Sequence, residues 1–144
     1  MTRRVVQQVE IDALPADVWR HLTDRAGLSR WLMPTDDFEA RPGHAFTFHT
    51  VPVGDVGGWD GVVRCRVLEV IDERRLSWTW TSNALRVETV VVITLDDLGG
   101  RTLVTVDHSG WEGLPAEQAW LADEHGRGWG HLLARQLKPQ VEGR

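Results

Sequence analysis

The chain has 144 residues, a length that suits one hydrophobic core, so we expect a single domain spanning residues 1–144. The formal net charge is −5 and no basic stripe is present, which argues against nucleic acid or an anionic membrane as a partner. No segment approaches the roughly 18 apolar residues of a membrane span, and no apolar signal-peptide core follows the N-terminal arginines, which predicts a cytoplasmic protein.

Three features of the composition are informative. Fifteen of the sixteen basic residues are arginine, the exception being Lys138, a bias typical of GC-rich genomes that favours an actinobacterial source. Eight tryptophans and no tyrosine supply most of the aromatic surface. Cys65 is the one cysteine, and its alternating apolar neighbours predict a buried, inert thiol.

The first third of the chain predicts one strand and two short helices. Loose alternation from Arg4 to Asp12 is typical of a strand with one buried face. Pro15 fits the first turn of a helix, since its missing N–H costs nothing there. A second short helix, about Ala26 to Leu32, ends before Pro34.

Residues 38–107 predict an antiparallel meander, because short alternating segments are separated by turn-forming residues. The strand period of two places one apolar set on a common face: Phe46, Phe48, Trp78, Trp80, Val104, Val106 and His108. The alternation breaks after Val67, which predicts a bulge there. With that bulge, Glu69 faces inward, or it pairs locally with an arginine; Arg86 and Glu88 are expected to share a face on the adjoining strand.

The C-terminal segment predicts an amphipathic helix that covers the apolar face of the sheet. Trp129, Leu132, Leu133 and Leu137 recur at helical spacing, and a segment from about Pro115 to Asp123 leads into this helix. The glycines at 126, 128 and 130 do not follow a strand of a βαβ unit, so they predict a loosened helix start or close approach to the sheet, not a phosphate loop.

Four motifs, in this order, carry a resemblance: LPADVWRHLTDRAGLSRWL (14–32), VLEVIDERRLSWTW (67–80), TLVTVDHSGW (102–111) and GWGHLLARQL (128–137). They resemble the single-domain bacterial relatives of the activator of the heat-shock-protein-90 ATPase, within the START-like (SRPBCC), Bet v 1-like helix-grip superfamily. The resemblance covers about residues 5–140. It implies an α+β fold in which a curved antiparallel sheet wraps around a long C-terminal helix, with two short helices after the first strand.

In the resembling family the space between sheet and helix is a cavity for apolar ligands. The residues expected to line it here are Trp31, Phe46, Phe48, Trp78, Trp80, His108, Trp111, Trp129 and Leu133. Such rings either fill a core or form a slot for a flat ligand, and the sequence leaves both possibilities open.

His108 is the one polar member of this set. It would orient a ligand or act as an acid or base, or it would hydrogen-bond the turn that begins the last helix. The pairs His44/His49 and His125/His131 do not share a face, so we expect neither a metal site nor a cofactor.

Three functions follow from the resemblance. The leading hypothesis is a protein that binds an aromatic or polycyclic small molecule, as a carrier or a sequestering resistance protein in an actinobacterial natural-product pathway. The alternatives are a polyketide cyclase or aromatase, and a co-chaperone that stimulates a chaperone ATPase. The missing acid–base pair makes an enzyme the less favoured class, and the absence of the eukaryotic namesake's extra domain weakens the chaperone hypothesis.

Overall fold

The computed structural model describes residues 4–51, 59–85 and 87–143 and shows six strands and a long C-terminal helix. The strands are β1 (Arg4–Ile11), β2 (Ala45–His49), β3 (Val62–Ile71), β4 (Arg75–Trp80), β5 (Thr89–Asp97) and β6 (Thr102–Ser109). The helices are α1 (Pro15–Thr23), α2 (Arg25–Trp31), α3 (Trp120–His131) and α4 (Lys138–Glu142), with a π-helical turn at Leu132–Leu137 and 3-10 turns at Trp111–Gly113 and Ala116–Gln118.

Arg86, one half of the expected charge pair with Glu88, lies outside the described residues, and Glu88 precedes β5.

The strands form one antiparallel sheet in the order β1-β6-β5-β4-β3-β2. All strand pairs are antiparallel, and the apolar positions predicted to share a face are buried together, which confirms the α+β prediction. The register of β3 and β4 shifts between Val67 and Glu69, at the predicted bulge. The shift does not turn Glu69 inward: its side chain is 45% exposed and its Oε1 lies 3.4 Å from Arg75 Nη1, so local pairing with an arginine is what the structure shows.

The C-terminal helix changes its winding near its end. The Lys138 N–H donates to the Leu133 carbonyl, five residues earlier, which defines the π-helical turn. Pro139 follows directly; it has no N–H to donate and its ring crowds the carbonyl four residues before it. The wider turn therefore accommodates a proline that a regular α-helix would exclude.

Two of the three helix glycines let α3 approach β1 closely. A Cβ on Gly126 would lie 3.2 Å from Val5 Cγ1, and one on Gly130 would lie 3.3 Å from the Gln7 side chain. The same atom on Gly128 would meet nothing within 4 Å. Close approach to the sheet therefore explains Gly126 and Gly130 and does not explain Gly128.

The interior is a single cluster of buried apolar residues between the sheet and the helices. Aromatic rings dominate it: Phe46 and Phe48 pack edge to face with centroids 5.3 Å apart, and Trp78 lies 5.8 Å from Phe46. Such pairs contribute about 0.5–1.5 kcal/mol beyond their buried area. None of the helices in the described part of the chain is both long and apolar enough to cross a membrane.

Candidate ligand-binding pocket

Most of the residues predicted to line a cavity pack against one another in the core. Seven of them are at most 2% exposed and line neither apolar cavity: Trp31, Phe46, Phe48, Trp78, His108, Trp111 and Leu133. Trp80 and Trp129 are also buried, but they border open space at one end of the helix. Of the nine, these two line the apolar cavities found among the described residues.

An apolar cavity of about 290 Å³ lies between the start of α3 and the adjoining ends of β3 and β4. We call it the tryptophan pocket, and it is lined by Met33, Trp59, Val63, Trp80, Ser82, Ala84, Leu85, Trp120, Leu121, Glu124 and His125. A second hollow, of about 380 Å³, shares part of this wall and continues along α3 to Trp129 and Leu132. Trp80 and His125 border both.

The aromatic wall is held in place from behind. The Trp80 ring lies 5.9 Å from Phe48 and 5.6 Å from Trp129, so its orientation is set by the core. At the rim, the Trp59 indole N–H donates to the Val62 carbonyl at 3.3 Å, and Trp120 is 51% exposed. The pocket thus joins a buried indole to two indoles nearer the solvent.

His108 sits behind this wall with both ring nitrogens occupied. Trp129 Nε1–H donates to His108 Nδ1 at 3.0 Å, so the ring proton is on Nε2, which donates to Thr89 Oγ1 at 2.7 Å. Thr89 in turn donates to the Trp80 carbonyl at 2.7 Å. Burial, together with the nearby His125, lowers the pKa of His108 to about 2. His108 is therefore a neutral group that joins β4, β5, β6 and α3.

The corner after β6 is also fixed through His108. Trp111 Nε1–H donates to the His108 carbonyl at 3.0 Å, and the two rings pack with centroids 4.5 Å apart. The predicted hydrogen bond to the turn is thus made by the backbone of His108, while its imidazole makes the longer-range connections.

His125 has a different arrangement. Its Nδ1–H donates to the Leu121 carbonyl at 2.8 Å, and burial lowers its pKa, so the ring is neutral and Nε2 carries a lone pair. Trp111 at 4.8 Å and Trp80 at 6.0 Å hold the ring. Among the described residues, Nε2 has no hydrogen-bond partner.

Two other polar side chains of the pocket, Glu124 and Ser82, each have a partner. Glu124 pairs with Arg127 on the outer side of α3, and Ser82 Oγ accepts from the Ala84 N–H at 3.2 Å. Nowhere in residues 4–51, 59–85 or 87–143 do three His, Cys, Asp or Glu side chains come together as metal ligands. The pocket is therefore a largely apolar slot, and His125 Nε2 is an acceptor in its wall.

Sequence reasoning missed most of this wall. Trp120 and Leu121 lie outside the main helical stripe, Trp59 begins the predicted third-strand segment (59–71) before its clear alternation, and the spacing of His125 raises only the question of a metal ligand. The sequence does contain a pattern that identifies the helical part of this wall. Along the segment that leads into the final helix, one set of residues recurs at helical spacing: Trp120, Leu121, Glu124 and His125.

Comparison with known proteins agrees with this architecture. The family model for Activator of Hsp90 ATPase homolog 1-like protein matches residues 12–142, which confirms the resemblance carried by the sequence motifs. No curated protein matches the sequence.

Several solved structures share the fold. Protein BH1534 from Bacillus halodurans is 28% identical, with a TM-score of 0.78 and coverage of 99% of this chain and 100% of that one. MLL2253 from Mesorhizobium loti is also 28% identical, with a TM-score of 0.76 and coverage of 98% and 95%. DynU16, a protein of the dynemicin biosynthetic locus, is 21% identical with a TM-score of 0.72, and the match covers 97% of this chain and 46% of that one.

Proposed function

The chain belongs to the Activator of Hsp90 ATPase homolog 1-like family, and from this premise we propose that it binds a planar, apolar small molecule in the tryptophan pocket. The observation that carries the proposal is the cavity itself, about 290 Å³ in volume and walled by Trp59, Trp80 and Trp120. Ligand pockets are typically concave and largely apolar, and this cavity has both properties.

The volume limits the ligand. Pockets for small molecules span about 300–1,000 Å³, so the tryptophan pocket lies at the small end of the range. A system of two or three fused rings fits this space, with one face against the Trp80 indole. A larger polycyclic ligand would extend past Trp80 into the second hollow along α3.

A role in uptake or sequestration agrees with the state of His108. Because both of its ring nitrogens bond to other side chains, it supports the pocket wall and is unsuited to proton transfer. The arginine bias and the similarity to DynU16 favour a cytoplasmic carrier or resistance protein in an actinobacterial natural-product pathway.

Blocking the pocket tests the proposal. Ala84 lines the cavity, and Ala84→Phe would place a ring in the space that the ligand needs. We expect planar aromatic compounds to quench the tryptophan emission of the native protein, and Ala84→Phe to raise the dissociation constant at least tenfold with the melting temperature unchanged.

The matched control is Ala134→Phe, the same change at an exposed helix position that lines neither apolar cavity. It should bind like the native protein. Equal affinity in Ala84→Phe and Ala134→Phe, or no quenching by any compound of a two- and three-ring panel, would show that the pocket is not a binding site.

A further inference from the structure

The polar chemistry of the tryptophan pocket selects among planar ligands. His125 lines the pocket, and its Nε2 is an acceptor for which no described residue supplies a hydrogen-bond donor. We propose that the ligand is a neutral aromatic hydroxyl compound, whose O–H donates to His125 Nε2 while its ring lies against Trp80; this inference rests on the function proposed above.

The tautomer of His125 decides the direction of the hydrogen bond. Because Nδ1–H is bound to the Leu121 carbonyl at 2.8 Å, the ring proton is on Nδ1 and Nε2 can only accept. A ligand ether or carbonyl oxygen has no proton to offer this atom. A hydroxyl or N–H group has a proton to offer, and a phenolic O–H is the stronger donor because it is more acidic than the N–H of a planar fused ring.

The lining of the pocket supplies no positive charge for an anion. Nε2 presents a lone pair, and the neighbouring acidic wall residue, Glu124, carries the one charge in the lining. A ligand carboxylate would face the Nε2 lone pair, the Glu124 charge is already paired with Arg127, and no wall residue is cationic. An uncharged hydroxyl compound avoids this repulsion.

The position of His125 is fixed before any ligand enters. Its ring packs against Trp111 at 4.8 Å, His108 at 5.5 Å and Trp80 at 6.0 Å, and the helical carbonyl of Leu121 sets its rotation. An acceptor held in this way loses little side-chain entropy on binding, so its hydrogen bond contributes to selectivity.

A matched ligand pair tests this assignment: 2-naphthol and its methyl ether, 2-methoxynaphthalene, which keeps the rings and the oxygen but lacks the proton. One neutral hydrogen bond corresponds to about three- to tenfold in affinity. By fluorescence titration we expect the native protein to prefer 2-naphthol by that factor.

Two variants locate the acceptor. His125→Phe keeps a ring against Trp111 and removes the lone pair, so both ligands should bind equally. His131→Phe makes the same change at an exposed histidine of the same helix, which borders only the second hollow, and should retain the preference.

Each other outcome is decisive. If the native protein binds both compounds equally, the hydroxyl assignment is wrong and the binding function stands. A preference that persists in His125→Phe assigns the hydroxyl to another acceptor and also overturns the inference. If neither compound binds, both the inference and the proposed function fail.

A spectroscopic measurement covers the case in which His125→Phe does not fold. Long-range ¹H–¹⁵N spectra of the native protein report on each imidazole nitrogen separately. Addition of 2-naphthol should shift the His125 Nε2 resonance, and addition of 2-methoxynaphthalene should shift it much less. Equal shifts with the two ligands would contradict the inference.

Discussion

His108 and His125 are neighbouring imidazoles, 5.5 Å apart, that carry their protons on opposite nitrogens. His108 is protonated on Nε2 because Trp129 donates to its Nδ1, whereas His125 is protonated on Nδ1 because the Leu121 carbonyl accepts there. One ring is therefore fully satisfied within the core, and the other keeps a free acceptor. Two residues of the same type thus differ in role through their partners alone.

The buried state of His108 predicts a pH dependence of stability. In the folded protein its pKa is lowered to about 2 by burial and by His125, while an unfolded histidine titrates near 6.5. Below about pH 6.5 the unfolded chain binds a proton that the folded chain does not, so stability falls as the pH falls. Between pH 7.5 and 5.5 this one group should remove about 1.4 kcal/mol.

The measurement is urea unfolding of the native protein and of His108→Gln at both pH values. His108→Gln should be less stable at pH 7.5 by about 1–3 kcal/mol, because at least one of its buried partners, Thr89 or Trp129, loses its hydrogen bond. Between pH 7.5 and 5.5 the free energy of unfolding of His108→Gln should fall by less than that of the native protein. Equal losses in the two proteins would mean that His108 titrates in the folded state.

At the scale of the element, α3 combines weak helix formers with close packing. Gly126 and Gly128 are both in α3, where glycine is about 1 kcal/mol less favourable than alanine. At Gly126 the missing side chain permits close contact with Val5. A Cβ there would lie 3.2 Å from the Val5 side chain, which is β-branched and stiff. At Gly128 there is no such contact.

The two glycines therefore form a matched pair. Gly128→Ala should raise the free energy of unfolding by about 0.5–1 kcal/mol, through helix propensity alone. Gly126→Ala should gain less than Gly128→Ala or should destabilise the protein, because Val5 must shift. Chemical denaturation of both variants measures the difference, and equal stabilisation would show that α3 and β1 are not in tight contact.

At the scale of the whole molecule, stability and binding belong to different groups of aromatic residues. Phe46 is 2% exposed, packs against Phe38, Phe48 and Trp78, and lines neither apolar cavity. Trp120 is 51% exposed at the rim of the tryptophan pocket. The first belongs to the core and the second to the proposed binding site.

Substitutions should separate the two properties. Phe46→Leu should lower the free energy of unfolding by about 1–2 kcal/mol and leave the affinity for 2-naphthol within twofold. Trp120→Ala should change stability by less than about 0.5 kcal/mol and weaken binding about three- to tenfold. Thermal unfolding and calorimetric titration of both variants provide the test; a binding defect in Phe46→Leu would place the ligand within the core.

The architecture follows from local sequence patterns. The period of two in Phe46–Phe48 and Trp78–Trp80 predicts which face is buried, and the broken alternation after Val67 predicts the bulge, because both depend only on the geometry of one strand. The stripe of Trp129, Leu133 and Leu137 likewise predicts the helix that covers the sheet. These features need no knowledge of distant contacts.

The location of the open space is a property of the tertiary structure. Strand alternation places Trp78 and Trp80 on an inward face, and helical spacing does the same for Trp31, but neither pattern states how far the opposing element lies from each ring. In the fold, Trp31 meets Trp129 at 6.4 Å and Trp78 meets Phe46 at 5.8 Å, whereas Trp80 reaches the end of the layer, where loop residues and the start of α3 stand apart.

The properties of the two histidines were decided in the same way. By itself the sequence determined that His108 faces inward beside Trp111; it could not determine that Thr89 and Trp129 occupy its nitrogens, or that His125 keeps one acceptor free. Side-chain direction is set by local backbone geometry. A cavity, a tautomer and a lowered pKa are set by atoms that are distant in the chain and meet only when the sheet closes on the helix.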